Sequence, residues 1–146
     1  MSRVPAYKPP RAPARGVRAL LVPAGVLAAV AAAVTLVASV DPHEPGHYPT
    51  CPFLAISGLY CPGCGGLRMV NSLAHGQVGA ALGSNPYLFL LLPVAAWAWG
   101  SWTVHRARGE PWRPALLRPP AIAAFLVVTL AFWVVRNLPF AHVLAP

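Results

Sequence analysis

Acidic side chains are nearly missing from this chain. Its 146 residues carry three, Asp41, Glu44 and Glu110. Catalysis by a carboxylate pair therefore has almost no candidates. There is also no glycine-rich phosphate loop and no nucleophile–base pair, so an enzymatic role is not the expectation. Charge of either sign is scarce: 10% of residues are charged and 57% are hydrophobic. A soluble domain is about a quarter charged. This composition cannot cover a water-facing surface, and a membrane protein is the class that remains. Cysteine is absent everywhere except between residues 51 and 64.

The pI of about 10.5 first suggests a nucleic-acid binder. The basic residues argue against it, because they sit in two blocks that flank apolar stretches. Such blocks mark membrane orientation, not a nucleic-acid footprint. The bilayer is the expected partner, nucleic acid is not, and no protein partner can be read from the chain.

Residues 1–18 (MSRVPAYKPPRAPARGVR) are rich in proline and base and show no apolar periodicity. They read as a disordered cytoplasmic tail. Residues 19–40 hold 22 uncharged residues, and about 20 span a bilayer core. This is transmembrane helix 1, longer than the roughly 7–15 apolar residues of a signal peptide. Pro23 lies in its first turns. Residues 41–85 form an extracytoplasmic loop holding the cysteines. Its later part, 65–82, reads as one amphipathic helix, with Leu67, Val70, Leu73, Ala74, Val78 and Ala81 on one face. Interfacial or re-entrant placement suits it better than a span.

Gly83-Ser84-Asn85-Pro86 is a stop and a turn. Residues 86–104 are transmembrane helix 2, and Trp97, Trp99 and Trp102 belong to an aromatic belt. Residues 105–120 are a short basic cytoplasmic loop. Residues 121–140 give transmembrane helix 3, with an uncharged run over 121–135 and an extension past Arg136, whose long side chain can snorkel. The tail before helix 1 holds five basic residues and the 105–120 loop four, against one, Arg68, in the cysteine loop. The positive-inside rule places the N-terminus in the cytoplasm and the cysteine loop outside the cell membrane. The expected fold is an all-α integral membrane protein with three transmembrane helices and one interfacial or re-entrant helix after the cysteine loop.

The cysteine stretch reads CPFLAISGLYCPGCGGLR, from Cys51 to Arg68. Cys61 and Cys64 sit on a C-P-x-C-G turn that can face two thiolates to one centre. Gly65 can take the positive φ such a turn needs. Cys51 can return across the loop, and His47 lies closest to it in sequence. Cys51, Cys61, Cys64 and His47 could thus make a Cys3His zinc site. A single C-x-x-C pair leaves two other readings open. One is redox: a thiol–disulfide oxidoreductase using Cys61 and Cys64, with the helix start and Arg68 lowering a cysteine pKa. No βαβ pattern surrounds the motif, so a thioredoxin fold is unsupported. The other is structural: a disulfide from Cys51 to Cys61 or Cys64, worth roughly 2–3 kcal/mol. Arg68 either snorkels and caps carbonyls or pairs with a thiolate, Asp41 or Glu44. Asn85 and Pro86 read as a helix-start turn.

Taken together, Cys51-Pro52-Phe53, Ser57-Gly58, Cys61-Pro62-Gly63-Cys64-Gly65, Arg68, Gly76 and Asn85-Pro86 resemble the DUF2752 family of small bacterial membrane proteins of unknown function. The resemblance covers about residues 51–93. Ser57 and Leu67 stand where the family commonly has Thr. The resemblance implies a membrane location, with Cys51, Cys61, Cys64 and Arg68 as key positions, and it implies no activity. The leading expectation is a membrane protein whose cysteine loop is a structural or metal-binding module, with zinc as the conceivable cofactor; the alternative is the oxidoreductase.

Overall fold

The structure is a computed structural model that describes residues 17–44, 46–141 and 144. The basic tail read over 1–18 falls outside these residues, except for Val17 and Arg18, which already belong to the first helix. Six α-helices follow one another, and no strand occurs among the described residues.

Three helices are long and apolar enough to cross a membrane: α1 (Val17–Ser39), α5 (Pro86–Arg108) and α6 (Pro119–Arg136), with mean hydropathies of 2.5, 1.4 and 1.8. The architecture is therefore the all-α, three-span one. At 1.5 Å per residue the two 23-residue helices run about 34 Å and the 18-residue one about 27 Å. Most of their leucines and valines are exposed, as lipid contact requires.

Pro23 sits inside α1 and has no N–H to give the carbonyl of Ala19. Left bare, that carbonyl would lose a hydrogen bond. Arg106, near the end of α5, donates its Nε to that oxygen at 3.2 Å. This hydrogen bond brings the start of α1 and the end of α5 to the same end of the bundle. The cysteine loop, which joins the opposite ends of these two helices, lies at the other. Helix α5 starts as its sequence suggests, with Asn85 accepting the Leu88 N–H at 2.9 Å and Pro86 in the first turn. It continues four residues beyond 104. Helix α6 stops at Arg136 instead of running to 140, because Asn137 ends it and residues 138–140 turn away.

The connection between α1 and α5 holds three short helices, where one was expected. They are α2 (Pro52–Ser57), α3 (Gly66–Ala74) and α4 (Val78–Ser84). The single amphipathic helix over 65–82 is cut at Gly76. Its φ of +74° is one that glycine adopts without strain. The Gly76 N–H bonds the Leu73 carbonyl and the Gln77 N–H the Ser72 carbonyl, at 3.0 and 2.8 Å. That pair of bonds is a Schellman stop, and it turns α4 back onto α3. Both short helices then pack inward, α3 against α1 and α4 against α5. Asn71 of α3 donates to the Val37 carbonyl at 2.8 Å, satisfying one of the last four carbonyls of α1.

Candidate metal centre

The cysteine turn is built by its backbone. Cys64 N–H bonds the Cys61 carbonyl at 3.1 Å and Gly66 N–H the Gly63 carbonyl at 3.0 Å. Gly65 takes φ +80° and swings the chain straight into α3. At Gly66 an added Cβ would come 2.9 Å from a Leu88 methyl, so the start of α3 presses on α5 at a spot that a side chain would open.

Two asparagines hold this turn from outside. Asn85 is fully buried and donates Nδ2 to the carbonyls of Pro62 and Cys64, both at 2.9 Å, while its Oδ1 caps α5. Asn137, just past α6, grips Tyr60 from both sides. It accepts the Tyr60 N–H and donates to the Tyr60 carbonyl, each at 2.9 Å. Cys51 comes back to the turn because α2 and the bend at Gly58 reverse the chain. Phe53 of α2 meets Trp133 of α6 edge to face at 6.0 Å.

The result is three sulfurs in one place. Cys51 Sγ lies 3.7 Å from Cys61 Sγ, and Cys61 Sγ lies 3.3 Å from Cys64 Sγ. All three fall within 4.8 Å of one another. A tetrahedral zinc with bonds near 2.3 Å sets its sulfurs about 3.8 Å apart. The first edge matches and the second is slightly short. All three cysteines are free, and the loop-closing disulfide weighed from the sequence is not formed.

The sulfurs differ in environment. The amides of Leu54 and Phe53, at the start of α2, act on the Cys51 sulfur without closing a full capping hydrogen bond. They hold its thiol below the usual range. Burial pushes the Cys64 thiol up to about 12. The sequence suggested that a helix start would lower the pKa within the C-x-x-C pair. At Cys64 the loss of water outweighs any such effect.

The other expected residues are placed as follows. His47 faces Asp41 and Glu44: its Nδ1 lies 3.0 Å from the Asp41 carbonyl and its Nε2 3.5 Å from the Glu44 carboxylate. It is not part of the sulfur cluster. Arg68 reaches the Pro42 carbonyl with Nε at 3.4 Å, the carbonyl-capping role, and makes no ion pair with Asp41 or Glu44. Asp41 is engaged by His43, whose N–H donates at 2.9 Å; this bond, then the His43 ring, holds its carboxyl below the ordinary range. Gly65 and Pro86 serve the turn and the start of α5. Asn85, read from the sequence as a turn residue, is the clamp on the cysteine turn. Asn137 and Tyr60 were not singled out at all, and Arg136, read from the sequence as a snorkelling side chain, is instead buried. Their only sequence signal is a polar Arg-Asn pair directly after an apolar run.

No curated protein and no solved structure matches the chain. A family model does match, over residues 51–99: DUF2752, described as a protein of unknown function. The match begins at Cys51, takes in all three sulfurs, Arg68 and Asn85, and ends within α5. The DUF2752 resemblance carried by the cysteine motifs thus holds over the segment that builds the cluster.

Proposed function

We propose that Cys51, Cys61 and Cys64 hold a zinc ion, and that this centre locks the loop between α1 and α5 of an integral membrane protein. The observation that supports this reading is the cluster itself. Three free sulfurs, one from the start of α2 and two from the turn before α3, converge within 4.8 Å, although ten residues separate Cys51 from Cys61. Thiolates are the ligands zinc favours in structural sites. The fourth place goes to a neutral donor such as water. His47 is held elsewhere by Asp41 and Glu44. Binding releases the thiol protons, so the ion offsets the high pKa of Cys64.

In this reading the centre sits on the extracytoplasmic face, with the N-terminus and the arginine-rich loop in the cytoplasm. The two positive blocks support that orientation. The partner is the lipid bilayer, and the centre acts as a structural module. Thiol–disulfide exchange by Cys61 and Cys64 is the weaker reading. Their sulfurs are close enough at 3.3 Å, but burial disfavours the Cys64 thiolate, which leaves one member of the pair a poor nucleophile.

Metal analysis of the detergent-purified protein tests the proposal. About one zinc per chain is expected, lost in Cys61→Ser and Cys64→Ser and retained in His47→Ala. A protein without metal after purification from zinc-replete cells overturns it. Recovery of Cys61 and Cys64 as a disulfide from untreated cells would favour the exchange reading.

A further inference from the structure

One charged group at this end of the molecule is enclosed without a polar partner among the described residues. Arg136, the last residue of α6, is 2% exposed. Its Nε and both terminal nitrogens are buried, with no hydrogen-bond partner among the described residues. Its guanidinium lies over the rings of Phe132 and Tyr60, at 5.5 and 5.9 Å. Contact with ring faces offsets part of the lost hydration. It supplies no negative charge, and a buried cation without one is strongly unfavourable.

Among the described residues the side-chain carboxylates do not provide that charge. Asp41 is paired with His43, Glu44 faces His47, and Glu110 follows α5 at the opposite end of the bundle. The Tyr60 ring beneath the guanidinium belongs to the residue directly before Cys61, so Arg136 stands next to the cysteine turn. The placement is also fixed. Asn137, the next residue, grips both backbone groups of Tyr60, and Tyr60 immediately precedes Cys61. The end of α6 is thereby fastened to the turn that carries two of the three sulfurs.

We infer that Arg136 is the built-in counter-charge of the sulfur cluster. It makes the favoured occupant an anionic centre of three thiolates around a divalent cation, completed by a neutral donor. Such a centre carries one net negative charge and Arg136 one positive charge, so the buried unit is neutral as a whole. A carboxylate in the fourth place would break that balance. The inference about the bound ion rests on the metal reading above. The pairing of Arg136 with the sulfurs does not, because it also bears on the metal-free thiols.

The experiment compares wild type with Arg136→Met and Arg136→Lys, each purified in detergent and checked for helix content. Cobalt(II) is the probe, read by its thiolate charge-transfer absorption and displaced by zinc. A second arm measures the alkylation rate of the metal-free cysteines at neutral pH. Removing the charge is expected to weaken cobalt and zinc binding at least about tenfold and to slow alkylation at least about tenfold, the size of effect an adjacent opposite charge has on ionisation. Lysine, which keeps the charge without the guanidinium shape, is expected to restore most of both. If Arg136→Met does not fold, Arg136→Gln beside Arg136→Lys gives the same contrast.

If wild type takes no metal, the metal reading fails and the alkylation arm alone decides the counter-charge. Equal affinity and equal alkylation in wild type and Arg136→Met overturn the inference. So does equal impairment in Arg136→Met and Arg136→Lys, which would show that the side chain acts by shape.

Discussion

The two ends of the helix bundle treat polar side chains in opposite ways. At the end where α1 starts and α5 finishes, Arg18, Arg108, Arg113 and Arg118 are exposed and Arg106 is half-buried. Trp102 lies beneath Arg106 at 5.5 Å, and Trp112 donates to Ser101 at 3.1 Å. This is a membrane rim, with cations in water and indoles at the interface. At the cysteine end the buried polar residues are Asn71, Ser72, Asn85 and Arg136. Burying such groups is unfavourable unless each is satisfied. The rim needs only the correct composition, whereas the cysteine end needs particular partners. Substitutions should therefore be tolerated at the rim and damaging around the sulfurs.

The sharpest contrast lies within the cluster itself. In metal-free protein Cys51 is expected to alkylate well before Cys64 as pH rises from 7 to 9. The amides of Leu54 and Phe53 favour the Cys51 thiolate, while Cys64 stays a thiol until about pH 12. The rate difference is expected to reach about a hundredfold or more. The sign for stability follows. Below the ordinary thiol value of 9.0 Cys64 is protonated whether the chain is folded or unfolded, and nothing is lost. Above it the unfolded chain ionises first, and the metal-free fold weakens as pH climbs towards 12. Site-resolved mass spectrometry after timed alkylation checks the order, and equal rates at the two positions would show that the sulfurs share one environment.

Next in size is Asn85→Ala. It removes the cap of α5 and leaves the Pro62 and Cys64 carbonyls without their donor. The expected cost is about 2–4 kcal/mol, together with loss of metal in the proposed centre. Thermal unfolding in detergent measures it. A change below about 0.5 kcal/mol would mean that the cysteine turn holds its shape unaided and that the clamp is incidental.

The same contrast explains what could be read in advance. The spans were legible because an uncharged run near 20 residues has few other uses. The cysteine turn was legible because Cys61, Cys64 and Gly65 are neighbours in sequence. The break at Gly76 went unread because a glycine within an apolar period marks no stop by itself, and its positive φ depends on how α3 and α4 fold back. Helix α2 went unread because PFLAIS is too short to show a period. The convergence of Cys51, the grip of Asn137 on Tyr60 and the burial of Arg136 all depend on contacts made across the bundle. Local pattern carries no trace of a contact between residues 60 and 137. Arg136 illustrates the point: an arginine at the end of a span ordinarily snorkels to water, and only the fold shows that it is enclosed.

The smallest effect is expected at the rim. Arg106→Ala removes the donor to the Ala19 carbonyl, which is free because Pro23 has no N–H. Residue 19 lies in the first turn of α1, close to the interface, where water can replace the guanidinium. The expected cost is about 0.5–1 kcal/mol. Pro23→Ala supplies the missing N–H to the same carbonyl from within α1. In the Pro23→Ala background Arg106→Ala should then cost close to nothing beyond the loss of its contact with Trp102. A double-mutant cycle by thermal unfolding measures this coupling. If the two substitutions are additive, the hydrogen bond across the helices contributes nothing. If Arg106→Ala costs as much as Asn85→Ala, the division of the molecule into a tolerant rim and an exacting cysteine end fails.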